Sequence, residues 1–179
     1  AKEKLGNEVA AGIDHFRRDF IIAKKLAKLE NIDYDEEILH AACFLHDLFD
    51  ESGEEHNTVA ARIAGEFLPS IDFPNEKIKQ VQEAIKEHLP NGKPKSNEAI
   101  LLHDADLIDF LGATGIVRLS IGAWDWMEKS SLQEFVGVFK KFRKDCYKNL
   151  ILAKSKELAE KKIKFMDFAI KELKQELQE

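Results

Sequence analysis

The sequence predicts an all-α protein, on three observations. The composition is rich in Leu, Ile, Ala, Glu and Lys and poor in Val, Thr and Tyr, which favours helices over strands. Apolar residues recur at three- and four-residue spacing along most of the chain, and no long stretch alternates as a strand would. Proline and Asn-Gly signals cut the periodic stretches into helix-sized pieces.

From Asp14 to about Glu30, Phe16, Phe20, Ala23 and Ala27 fall at helical spacing beside Ile22, Leu26 and Leu29, a first helix with a broad apolar face. After the NIDYDEE turn, Ile38, Ala42, Leu45 and Phe49 form the stripe of a second. Ser52 and Glu55 have capping-box spacing, so a third helix is expected to start there and run to Leu68, before Pro69. Pro74-Asn75 opens a fourth, with Ile78, Val81 and Ile85 inward, which stops at HLPNG. NGKPKSN is the clearest loop. A fifth helix runs from about Asn97 to Leu111, and Gly112 and Gly115 are expected to break the pattern before Ile116 to Met127. Ile163, Met166, Ile170, Leu173 and Leu177 then line one apolar seam, read as a helix packed on the rest, with a dimer seam as the alternative. The 179 residues suffice for one core. The expected organisation is a single-domain helical bundle over 1–179, with a core of about 12–119 and C-terminal helices at 120–179 packed on it.

Hydrophobic residues make up 44 % and charged residues 34 %, which suits a soluble protein. The net charge of −6 argues against a nucleic-acid polymer as partner, but not against a small anion held by a metal or a few cations. Two cysteines, Cys43 and Cys146, cannot build a disulfide framework, and no signal peptide is recognisable, so a cytoplasmic location is expected. No apolar run approaches the roughly 20 residues that span a bilayer, so no membrane partner is expected. The expected state is a monomer or a homodimer.

Polar residues on apolar faces carry the functional argument. His15 shares its face with Asp19, Ile22 and Leu26. His46 follows Ala42 and Cys43 by one turn, so its ring points inward, and Asp47 projects about 100° round the same helix. His56 precedes Val59, Ala60 and Ile63; His88 follows Ile85; Asp106 lies one turn from both Leu102 and Phe110. Taken singly, each histidine reads as a hydrogen-bonded core residue. The carboxylates are harder to dismiss, because a buried charge needs a partner or a metal. Imidazole and carboxylate together suit first-row divalent ions. His40 and His103 read as structural.

In this order the residues resemble the HD superfamily of metal-dependent phosphohydrolases, and within it the small bacterial HD-domain hydrolases. HFRR from His15 is similar to the family's H-x-x-R segment, FLHDLFD to its His-Asp motif, and DADLIDFLGATGIVR to its closing segment. The match covers roughly Gly12 to Leu119, and KKIKFMDFAIKEL in the tail looks like the same subgroup. Phe49 departs from the HDIG version, which has glycine there, and this weakens any analogy to cyclic-dinucleotide phosphodiesterases.

The resemblance implies an HD-type helical bundle in which His15, His46, Asp47 and Asp106 hold one ion. His56, His88 and a bridging Asp47 would hold a second. Asp104 and Asp109 flank Asp106, so that assignment is open by one turn. Asp47 and Asp50 are the catalytic candidates, Asp50 as a group that orients water or protonates the leaving oxygen, or else as a solvated loop residue. Arg18 and Arg118 are candidates for the substrate phosphate. The implied cofactor is a divalent transition metal (Mn, Fe, Co, Ni or Zn, with Mg possible), as one or two ions. The implied activity is hydrolysis of a small phosphomonoester, nucleotide or phosphodiester through metal-activated water. Two alternatives stay open: an HD-fold di-iron oxygenase with similar ligands, and a non-catalytic nucleotide-sensing module.

Overall fold

Several helix ends in this chain are set by identifiable caps, and the ends decide where the polar side chains land. The computed structural model describes residues 12–49, 54–125, 127–129 and 131–178. Helix α1 (Ile13–Glu30) buries Phe16, Ala23, Leu26 and Ala27 and closes on Asn31, whose φ of 54° is the left-handed cap conformation. In α2 (Glu36–Leu45) the Asp35 carboxylate accepts from the amides of Glu37 and Ile38. Then come α3 (His56–Phe67), a 3-10 turn with Pro69 in its first turn, and α4 (Asn75–Glu87). Ser96 caps α5 (Asn97–Asp109) through the amide of Ala99. The chain ends with α6 (Gly112–Asp125), α7 (Leu132–Asn149) and α8 (Ala153–Glu176), α7 opening on a Ser131–Glu134 capping box. No strand occurs among the described residues, and the fold class is all-α as expected.

Helices α1, α2, α4 and α5 pack pairwise round a common centre, and α3 lies along α4. On the other side α6, α7 and α8 pack together and meet α1 and α5. The seam of α8 is buried at Ile163, Met166 and Ile170, so it is spent on this chain. Both cysteines are buried and unpaired with each other. No described helix is long and apolar enough to cross a membrane.

Three boundaries differ from expectation. Helix α2 stops at Leu45, so Phe49 is no stripe residue but half-exposed (53 %), and His46 and Asp47 stand just beyond the last turn. Helix α3 starts at His56 after Glu55, and the expected cap Ser52 lies outside the described residues. Gly112 and Gly115 belong to α6 rather than breaking the helical pattern. Gly112 has a φ of +77°, and a Cβ at Gly115 would meet the Phe110 carbonyl oxygen at 2.1 Å. The glycines mark a sharp turn and a close approach, and the helix begins at once.

Candidate metal centre

The stop at Leu45 is built by His46 itself. Its Nδ1 lies 3.0 Å from the Cys43 carbonyl, an acceptor, so Nδ1 carries the proton and satisfies one of the carbonyls left open at a helix end. Its Nε2 lone pair then faces the bundle centre. His88 repeats the device at the end of α4, with Nδ1 donating to Ile85 O at 2.6 Å. His15, in the first turns of α1, donates Nδ1 to Asp109 Oδ2 at 3.0 Å. All three rings are held by their outer nitrogen and offer Nε2 inward, the usual support of a metal-ligating imidazole.

Nε2 of His15 stands 3.2 Å from Asp19 Oδ2, 3.4 Å from Asp47 Oδ2 and 3.5 Å from Asp106 Oδ1. Nε2 of His46 is 3.6 Å from both Asp19 Oδ2 and Asp47 Oδ2. The other oxygen of Asp47 faces the second pair, 3.6 Å from His56 Nε2 and 3.7 Å from His88 Nε2. Thus Asp47 joins a deep group to a shallow one. Asn57 fixes the shallow side: its Nδ2 donates to Lys86 O at 2.8 Å, pinning the start of α3 to the end of α4. His56 lands beside His88, ring centroids 5.4 Å apart, although its own side chain is 46 % exposed.

Five buried atoms of the deep group make no hydrogen bond: His15 Nε2, His46 Nε2, Asp106 Oδ1 and both oxygens of Asp19. Buried polar atoms are normally satisfied, and carboxylates crowded together in a dry site repel. A divalent ion resolves both problems. Its nitrogen and carboxylate ligands lie about 2.0–2.2 Å away, so donors round one ion stand roughly 3–4 Å apart. The measured 3.2–3.6 Å fits.

Protonation directions agree. Burial opposes a charge on His15, but Asp19 and the contacts with Asp109 and Asp47 override it and raise the imidazole to about 10. Burial lowers His46 to about 4, a neutral ring at pH 7. Burial raises Asp19 well above the usual carboxylate range. In Asp47 the nearby His46, His15 and His88 outweigh burial and lower it. Without a metal His15 and Asp19 favour their protonated forms, and a bound ion would displace those protons.

Asp19 is the residue that the sequence reading missed. Its signal was present: one turn after His15, on a face that continues to Ala23 and Leu26. Among the three aspartates at the end of α5, Asp106 faces the centre. Asp104 turns the other way and accepts from the amides of Ile151 and Leu152. Asp109 takes Arg18 Nε and Nη2 at 2.9 Å each and Arg118 Nη1 at 2.9 Å. Both arginines expected at a substrate phosphate thus bond Asp109. Arg118 is buried (3 %) with its guanidinium 4.0 Å from the Phe110 ring, and Arg18 spends two nitrogens on Asp109. Both brace the carboxylate that holds His15, and neither lines the cavity. Asp50 lies outside the described residues. His40 is an exposed ring stacked on Phe44, and His103 bridges the carbonyls of His88 and Asn149, both clear of the centre.

The centre opens to a cavity of about 400 Å³. Asp47, His56, His88 and Asp106 form its polar end, and Phe49, Leu89, Pro90, Leu107, Phe110, Phe142 and Cys146 its walls. His15, Asp19 and His46 lie beneath it, fully buried.

Comparison with known proteins follows this geometry. Solved structures of the same fold include Bacillus subtilis YpgQ in complex with ADP (23 % identity, 90 % of this chain and 87 % of that one, TM-score 0.70). A Lactobacillus plantarum protein aligns over 98 % and 92 % of the two chains (22 % identity, TM-score 0.78). An HD-superfamily hydrolase of Bacillus thuringiensis aligns over 92 % and 85 % (25 % identity, TM-score 0.66). No curated protein sequence gives a significant match. The HD domain family model matches residues 12–111, which span every residue of both ligand groups, and the chain belongs to that family.

Proposed function

We propose that this HD-domain protein is a metal-dependent phosphohydrolase of small phosphomonoesters, nucleotides or phosphodiesters. The observation that carries the reading is the carboxylate of Asp47, shared between two histidine groups at the polar end of an otherwise apolar cavity. His15, His46, Asp19, Asp47 and Asp106 would hold one ion, and Asp47, His56 and His88 another. Such ions supply acidified water and draw off charge developing on a phosphoryl oxygen.

The chain's own part is placement. Nδ1 anchors at Cys43, Ile85 and Asp109 hold three imidazoles in one orientation, so no ring must reorganise during turnover. Phe49, Phe110 and Phe142 offer a dry wall to the organic part of a substrate, and the phosphate end meets the polar floor. With both arginines spent on Asp109, the ions themselves are left as the main cationic partners of that phosphate. Asp50 is the proposed group to orient water or to protonate the leaving oxygen. The ADP bound by YpgQ makes nucleotides the first substrates to try.

The test is metal analysis of the purified protein joined to a panel of phosphorylated metabolites with Mn, Co, Ni, Mg and Zn. Metal-dependent phosphate release supports the reading. Bound iron with oxygen-dependent turnover replaces it with an oxygenase, and ligand binding without turnover replaces it with a sensor. In the same preparations, His56→Ala and His88→Ala are each expected to lower bound metal from about two equivalents to about one, since a sparse shell tolerates the loss of one imidazole poorly. Unchanged stoichiometry in both would leave a mononuclear centre.

A further inference from the structure

The two ligand groups are not equivalent, and Asp19 makes the difference. It is fully buried, and neither oxygen has a hydrogen-bond partner. Its Oδ2 lies 3.2 and 3.6 Å from the inward nitrogens of His15 and His46. The fold has a means of neutralising a buried carboxylate here and applies it to Asp109, which receives three guanidinium nitrogens and an imidazole. Asp19 receives no guanidinium, only the inward nitrogens of the same two imidazoles that face the centre, and a packing role at this position would be better served by an apolar side chain, since desolvating a carboxylate is costly.

We propose that Asp19 is itself a ligand of the deep ion, and that it makes that ion a resident one while the shallow ion exchanges. This rests on the reading of the site as a metal centre, not on its activity. The deep position is ringed by five donors: Nε2 of His15 and His46, Oδ2 of Asp19 and Asp47, and Oδ1 of Asp106. Three of these are carboxylates, and four of the five residues are buried with their ligand atoms within 4.8 Å of one another. The shallow position has one shared carboxylate and two imidazoles, one of them on a half-exposed side chain at the cavity rim. A divalent ion surrounded by three carboxylates in a dry site is held far more strongly than one beside a single shared carboxylate at the mouth. Exchange with solvent, and contact with substrate, then belong to the shallow position.

The experiment uses the full chain loaded with Mn(II) and titrated with a chelator, with bound metal measured after each step. Two well-separated losses are expected, the second equivalent leaving only at much higher chelator. In Asp19→Asn, which keeps the side-chain volume, the retained equivalent is expected to weaken by more than the roughly 10–100-fold that loss of an outer-shell partner causes. A smaller change makes Asp19 a bystander and overturns the proposal. Should that variant fail to fold, the wild type decides: the first equivalent of Mn(II) should relax water protons weakly and the second strongly. Strong relaxation by the first equivalent overturns the proposal. Absence of turnover on any phosphoester would sink the proposed activity and leave these metal readouts standing.

Discussion

Asp47→Ala is expected to reduce turnover to the background of the metal-free protein while leaving the helices formed. Both oxygens of this carboxylate face imidazoles, Oδ2 toward His15 and His46 and Oδ1 toward His56 and His88, so one truncation strips both metal positions. It follows α2 rather than lying within it, so no helical hydrogen bond is lost. In the metal-free protein the change also removes the contacts that, against burial, hold this carboxyl below the usual carboxylate range, those with His46, His15 and His88, so a modest loss of stability at neutral pH is expected beside intact helices. Circular dichroism, metal content and phosphate release on one sample check all of this. Turnover retained by a variant that still binds metal tightly would refute the bridging role.

Asp109→Ala should cost stability instead. The carboxylate accepts from Arg18, Arg118 and His15, and its removal takes the counter-charge from a buried guanidinium and the acceptor from the outer nitrogen of a ligand histidine. Breaking a buried charge network by deleting one partner costs about 3–5 kcal/mol. For a chain of this size that lowers the melting temperature by on the order of 10 °C. Burial raises the carboxyl of Asp109, but His15 and the two arginines overcome it and hold the group well below the usual carboxylate range. Its contribution is therefore complete above the unfolded carboxylate pKa and disappears as pH falls through the depressed folded value. The gap between wild type and variant should accordingly persist at neutral pH and close only in strong acid. A melting temperature within about 2 °C of wild type at pH 7 would show that the arginines find other partners.

These two aspartates mark what the sequence could and could not disclose. Helical phase alone puts His15, His46, His88 and Asp106 on inward faces, and the fold brings them together because each face is the one its helix buries. Asp47 was legible as a neighbour of His46, but its position past the helix end was not. That end depends on an imidazole bonding a carbonyl three residues back, which no periodicity reveals. Asp109 pairs with an arginine 91 residues away, so the arginines looked free for substrate when read along the chain. Asp19 failed differently. A carboxylate one turn from a histidine marks equally a solvated flank and a buried ligand, and only the packing of α5 on α1 decides between them.

Helix α5 has ten of its thirteen residues buried, with His103, Asp104 and Asp109 each bonded to a different neighbour. A shaft clasped on every side can neither roll nor slide without breaking several bonds at once. At the mouth, by contrast, Phe49 and His56 stand half in solvent. The chain thus joins a braced floor to an exposed lip, and a substitution at the lip would leave the bonds of the floor intact.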